Sequence, residues 1–125
     1  MKAYRQIKKE HFANLIIVAY ADGKLTEEEL DFLAQRAVDY GLEDDEIRQM
    51  LDNIEQLKFQ IPLNNEEKEE QLTNAIYMSL IDGELAEREY QICLNLAKRL
   101  GLDKKYLDNL IELVKELWAN EQKQN

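Results

Sequence analysis

Cysteine, proline, glycine and basic charge are all scarce in this chain, and each scarcity excludes something. The single cysteine, Cys93, rules out an internal disulfide. One proline and four glycines in 125 residues suit a helical globule. The longest apolar run, Leu15–Ala21, is about a third of a membrane span. The first eleven residues carry no apolar core of signal-peptide length. Sixteen Lys and Arg stand against twenty-six Asp and Glu, a formal net charge of −10. That balance opposes a nucleic-acid or anionic-membrane partner, since both depend on clustered cations. The two small basic groups, Lys2/Arg5/Lys8/Lys9 and Lys98/Arg99/Lys104/Lys105, read as solvated faces and helix-end charges. Phosphate-binding loops and nucleophile motifs are missing too. A non-enzymatic cytoplasmic protein is expected, monomeric or weakly homodimeric, with room in one domain for a real core.

What the chain does contain is a stretch written twice. Val18–Leu30, V-A-Y-A-D-G-K-L-T-E-E-E-L, returns sixty residues later as Met78–Tyr90, M-S-L-I-D-G-E-L-A-E-R-E-Y. Between residues 14 and 42 ten of 29 aligned positions are identical without a gap. Chance would give roughly 6–7% on average composition. Such a register means duplication. Repeats over about 12–57 and 72–117 therefore organise the chain, joined by the Lys58–Asn65 connection with its only proline, Pro62.

Each repeat spells three helices. The first runs from about Gln6 to Ala21, apolar on nearly every side in its second half, which marks a helix buried among others. Gly23 stands where a left-handed residue would stop it. Thr26 and Glu29 have capping-box spacing, so a second helix starts at Glu27 and ends at Gly41. Its stripe is Leu30, Leu33, Ala34, Ala37 and Val38. A third helix opens near Asp44 and carries Ile47, Met50, Leu51, Ile54 and Leu57. The second repeat gives helices over about Glu66–Ile81, Glu87–Leu100 and Lys104–Ala119, with a frayed polar tail after them. The expected fold is all-α, two related three-helix units about a pseudo-two-fold axis, with helices one and four at the centre.

The repeated turn is the one chemical hint. Its D-G-x-L-x-x-x-E pattern invites comparison with an EF-hand loop, Gly23 at position six and Glu29 at twelve. Positions one and three then become Val18 and Tyr20, or Met78 and Leu80 in the second copy, which supply no carboxylate. An ordinary EF-hand is excluded. Two readings remain: a helix–turn–helix corner with helix-capping glutamates, or a cation-binding acidic cluster. The corner reading explains Glu89 less well, because Ala86 replaces Thr26 and no hydroxyl completes a box with it.

The sequences A-D-G-K-L-T-E-E-E at 21–29 and I-D-G-E-L-A-E-R-E at 81–89, each after an apolar helix, resemble the TerB-like family. That family includes tellurite-resistance TerB proteins and the N-terminal region of DjlA-type co-chaperones, and the resemblance covers roughly residues 10–118. It implies a duplicated all-helical fold and, as in TerB, acidic residues that bind divalent metal. Carried over by position, the metal candidates are Asp22, Glu29, Asp82 and Glu89, with Glu27 and Glu87 behind them. These are hard oxygen donors, so Mg²⁺, Ca²⁺ or Mn²⁺ suits better than structural Zn²⁺. The alternative is a co-chaperone-like or adaptor module that binds a protein partner and no metal. That alternative expects an exposed apolar patch, around Phe59–Pro62 and Trp118. Asn14 and Asn74 are expected as a buried structural pair, and Cys93 and His11 as structural residues.

Overall fold

A computed structural model describes residues 4–21, 23–81 and 85–123. The described chain is all-helical, with six α-helices, one 3₁₀ turn and no strand. It falls into two compact units, Met1–Gln60 and Ile61–Asn125, whose boundary lies inside the Pro62 connection.

The first unit holds α1 (Tyr4–Ala19), α2 (Glu27–Asp39), α3 (Asp44–Asp52) and a 3₁₀ turn at Ile54–Gln56. The second holds α4 (Asn65–Ile81), α5 (Glu87–Arg99) and α6 (Lys104–Lys123). Helices α2 and α5 begin sixty residues apart, as do α3 and α6, in keeping with the sequence register. Helices α2 and α5 are both 13 residues long, but α3 has 9 residues and α6 has 20. The apolar stripe of α3 continues to Leu57, yet the helix stops at Asp52 and tightens into the 3₁₀ turn. Asn53 leaves the helix with φ −127 and turns its amide back to the Gln49 carbonyl at 2.8 Å. Asn and Asp side chains compete for backbone groups in this way, and so favour helix ends. In contrast, α6 runs on through residues 120–123, which the polar composition had suggested would fray.

Side-chain caps set most helix starts. The Thr26 hydroxyl accepts the Glu29 N–H at 3.1 Å, and the Glu29 carboxylate accepts the Thr26 N–H at 2.9 Å. That reciprocal box satisfies two amide donors the helix cannot use. Asn64 accepts the Glu67 N–H at 2.8 Å to open α4, and Asp103 accepts the Tyr106 N–H at 2.8 Å to open α6.

Glycines set the stops. Leu42 N–H reaches the Ala37 carbonyl at 3.0 Å and Gly41 N–H the Val38 carbonyl at 3.0 Å, closing α2 with a left-handed Gly41 at φ 72. Gly101 closes α5 in the same pattern with φ 79, and Gly23 follows α1 with φ 92. The expected fourth member, Gly83, lies outside the described residues. A Cβ on Gly41 would meet nothing within 4 Å, so only the backbone opposes a side chain there. Gly41→Ala should therefore cost about 1 kcal/mol, and Gly41→Asn less, because Asn tolerates the left-handed region. Urea midpoints of the two variants against wild type check this; equal midpoints for all three would refute it.

In the first unit α1 packs along α2, with Phe12, Leu15, Ile16, Leu33 and Ala37 all buried. The Tyr40 ring meets the Phe12 ring edge-on at 6.4 Å, and the Lys8 ammonium covers its face at 4.9 Å. Arg5 and Lys9 on α1 pair with Glu46 on α3, Lys9 at 3.7 Å. The Glu43 N–H and these two cations hold the Glu46 carboxyl below its ordinary range. In the second unit each helix packs on the other two, burying Leu72, Ile76, Cys93, Leu107 and Val114.

Asn14 and Asn74 are both buried, as expected. Asn14 uses both ends of its amide on one residue of the connection. It donates to the Gln60 carbonyl at 2.6 Å and accepts the Gln60 N–H at 2.9 Å. His11 is buried as well. Burial pushes the Cys93 thiol up to about 11, with the Glu89 charge adding to it against a 3.8 Å contact to the Ser79 hydroxyl. A buried thiol so rarely ionised is a core residue, not a nucleophile.

Candidate functional site

Of the four carboxylates put forward for metal, Asp22 and Asp82 lie outside the described residues. Glu29 is half-buried and one of its oxygens is already committed to the capping box with Thr26. Glu89, its counterpart at the third position of α5, is half-buried too, but its helix starts at Ala86 with no side-chain cap. Glu89 Oε2 is fully buried and has no hydrogen-bond partner among the described residues. A buried carboxylate oxygen without a donor is costly unless something supplies one. The two copies of the turn therefore use the same glutamate differently: Glu29 accepts the backbone N–H at its helix start, whereas Glu89 Oε2 meets no donor among the described residues. Among the described residues no group of three or more His, Cys, Asp and Glu side chains converges as metal ligands do.

The apolar surface lies partly where the sequence put it and partly elsewhere. In the connection Ile61 is 56% and Leu63 95% exposed, whereas Pro62 is buried and Phe59 half-buried. Trp118 is half-buried, its ring against Tyr77 at 6.2 Å. The larger feature is a groove of about 430 Å³ within the first unit, between α2 and α3. Phe12, Leu33 and Ala37 form its floor, and Leu30, Val38, Ile47 and Leu51 its walls. Val38 is 72% and Leu30 40% exposed. Both belong to the stripe that periodicity assigns to the core. Asp44, Arg48 and Asp52 stand along the α3 side.

The second copy handles the same seam differently. Sixty residues on, Leu30 becomes Tyr90, Ala34 becomes Leu94, Val38 becomes Lys98, Asp44 becomes Lys104 and Arg48 becomes Asp108. Tyr90 donates its hydroxyl to Asp108 at 2.6 Å, and Lys104 donates to the same carboxylate at 2.8 Å while lying 5.7 Å from the Tyr90 ring. Lys104, then Tyr90, hold the Asp108 carboxyl below its usual range, and Asp108 in turn raises Lys104 to about 12. The depression of about 420 Å³ outside this bridge is lined largely by charged side chains, including Glu87, Glu112 and Lys115. One copy thus staples α5 to α6 with polar groups, and the other leaves an apolar gap between α2 and α3. The sequence signal for this was the loss of apolar character at 90 and 98, where a shared core position would have kept it.

No protein-family model, curated protein or solved structure matches this chain.

Proposed function

We propose that this chain is a non-enzymatic protein-docking module, built from two copies of a three-helix unit, whose partner seats in the groove between α2 and α3. The observation that carries this reading is the outward exposure of Leu30 and Val38 along one continuous apolar trough. Covering a Val or Leu side chain is worth about 1.5–3 kcal/mol, so two such residues facing water invite an occupant. The likeness to the TerB-like family, which includes co-chaperone regions, agrees with an adaptor role.

The test is a titration of isotope-labelled protein with a neutral amphipathic peptide of Leu, Ala and Gln, followed residue by residue by NMR. Shifts should concentrate at Leu30, Val38, Ile47 and Leu51. They should vanish in Leu30→Tyr/Ala34→Leu, which writes the second copy's residues into the first. Shifts absent, or centred elsewhere, would remove the groove as a docking site.

The orphaned Oε2 of Glu89 favours a second reading, a divalent cation bound at the second turn. Glu89 and Asp82 would hold Mg²⁺, Ca²⁺ or Mn²⁺ as hard oxygen donors, with Asp22 and Glu29 as their first-copy counterparts. The Thr26–Glu29 box makes the first turn the weaker of the two. Millimolar cation should raise the melting temperature of wild type, since a hundredfold excess over Kd stabilises by about 2.7 kcal/mol. Asp82→Asn/Glu89→Gln should abolish the shift and Asp22→Asn reduce it. A wild-type melt indifferent to all three cations ends the reading.

A further inference from the structure

We infer that the groove between α2 and α3 takes a basic amphipathic helix, one with an apolar stripe flanked by lysines or arginines. The inference rests on the docking reading and adds the chemistry of the occupant. Shape comes first. The walls are helices, whose backbone N–H and C=O groups are already used internally, so an extended peptide finds no edge to pair with. A helix needs only an apolar trough. From Leu30 to Val38 the α2 wall runs about 12 Å at 1.5 Å per residue, close to the roughly 10.5 Å between the i and i+7 anchors of a docked helix.

Charge selects among helices. On the α3 side Asp44 and Asp52 face the groove with Arg48 between them. On α2, Glu27 precedes Leu30 and Ala34, and Asp31 precedes Ala34 and Val38, by three and seven positions, and so they share that edge. Glu27, Asp31, Asp44 and Asp52 are all exposed. Four carboxylates around one guanidinium give the rim a net negative charge, and the chain as a whole carries −10. An acidic or neutral helix would desolvate these groups without return, and a second copy of this acidic chain would meet like charge. A cationic flank is attracted from a distance and pairs on arrival. The aligned seam of the second unit shows why the feature is specific to the first. There Lys104 and Asp108 neutralise each other and Tyr90 spans the gap.

The experiment compares three 18-residue helical peptides with one Leu/Ala stripe and flanks of Lys, Gln or Glu, binding the full chain by fluorescence anisotropy. The Lys peptide should bind at least tenfold more tightly than the Gln peptide, and the Glu peptide least. Its advantage should shrink with added salt and fall severalfold in Asp44→Asn/Asp52→Asn, while the Gln peptide is unaffected. Leu30→Tyr/Ala34→Leu should block all binding at constant charge, and Val38→Gln, at an already exposed site, supplies a second block should the first fail to fold. Equal affinity of Lys and Gln peptides at the groove would overturn the inference and leave docking standing. Lys-peptide binding that both groove blocks leave intact would also overturn it, as attraction to an acidic surface. A free chain that sediments as a dimer, dissolved by the same blocks, would give the groove to a second copy and overturn it too. Failure of all three peptides to reach the groove would end the docking reading with it.

Discussion

Asn14→Leu should destabilise the protein by about 2–4 kcal/mol, although leucine has the branched shape of asparagine and belongs in an apolar helix. The side chain is 0% exposed, and both of its polar ends are spent on the N–H and C=O of Gln60. Leucine keeps the branch at Cγ and removes both partners at once. Each backbone group left without one costs about 1–3 kcal/mol, less where water can return. Gln60 is an exposed residue, so partial rehydration sets the total in the lower half of that sum. Asn14→Asp isolates the donor half. The aspartate still accepts the Gln60 N–H but turns a carboxylate toward the Gln60 carbonyl oxygen, which disfavours the charged form and raises its folded pKa. A carboxyl raised on folding binds its proton more readily folded than unfolded, so this variant should regain stability as pH falls through that raised value. Asn14→Leu has no such dependence. Urea unfolding followed by far-UV CD, at neutral pH and near pH 4, separates the two. A leucine variant within 0.5 kcal/mol of wild type would show the clamp to be an incidental contact.

Local chemistry explains which parts of this structure were legible in sequence. Caps and stops were readable because single side chains decide them. Thr26 with Glu29, and the glycines at 23, 41 and 101, each solve a problem confined to one turn. The six helices followed from period 3.6 and the sixty-residue register of the sequence. The end of α3 was not readable, because periodicity continues through Leu57 while Asn53 redirects the backbone at the scale of one amide.

The candidate site was legible only in part. Periodicity says that Leu30 and Val38 belong to an apolar stripe but not that a neighbour covers them, since coverage depends on where α3 stops and leans. The clue was comparative. Tyr90, Lys104 and Asp108 occupy the matching positions, and a seam closed by a polar bridge in one copy need not be closed in the other. For the turn glutamates, sequence separated Glu29 from Glu89 by the presence or absence of Thr26. In the structure one Glu29 oxygen accepts the Thr26 backbone N–H, whereas Glu89 Oε2 has no partner among the described residues.

Phe12→Ala carries the other large expected effect, and it links the core of the first unit to its groove. Phe12 is 0% exposed, lies in the seam of α1 with α2, meets Tyr40 edge-on and forms part of the groove floor. Truncation removes the ring's transfer free energy and leaves a cavity, together about 3–5 kcal/mol. The lost edge-to-face contact adds about 0.5–1.5 kcal/mol. Because the vacated space adjoins an open trough, α2 can settle toward α1, which favours the lower part of the range. For a chain of this length that is a fall in melting temperature of roughly 10–15 °C. Phe12→Leu, the residue that the second copy carries as Leu72, is the control for size. It keeps most of the apolar volume and should cost about 1.5 kcal/mol or less. If Phe12→Ala proved no more harmful than Phe12→Leu, the ring would not be a core anchor, and the groove floor would have to be redrawn without it.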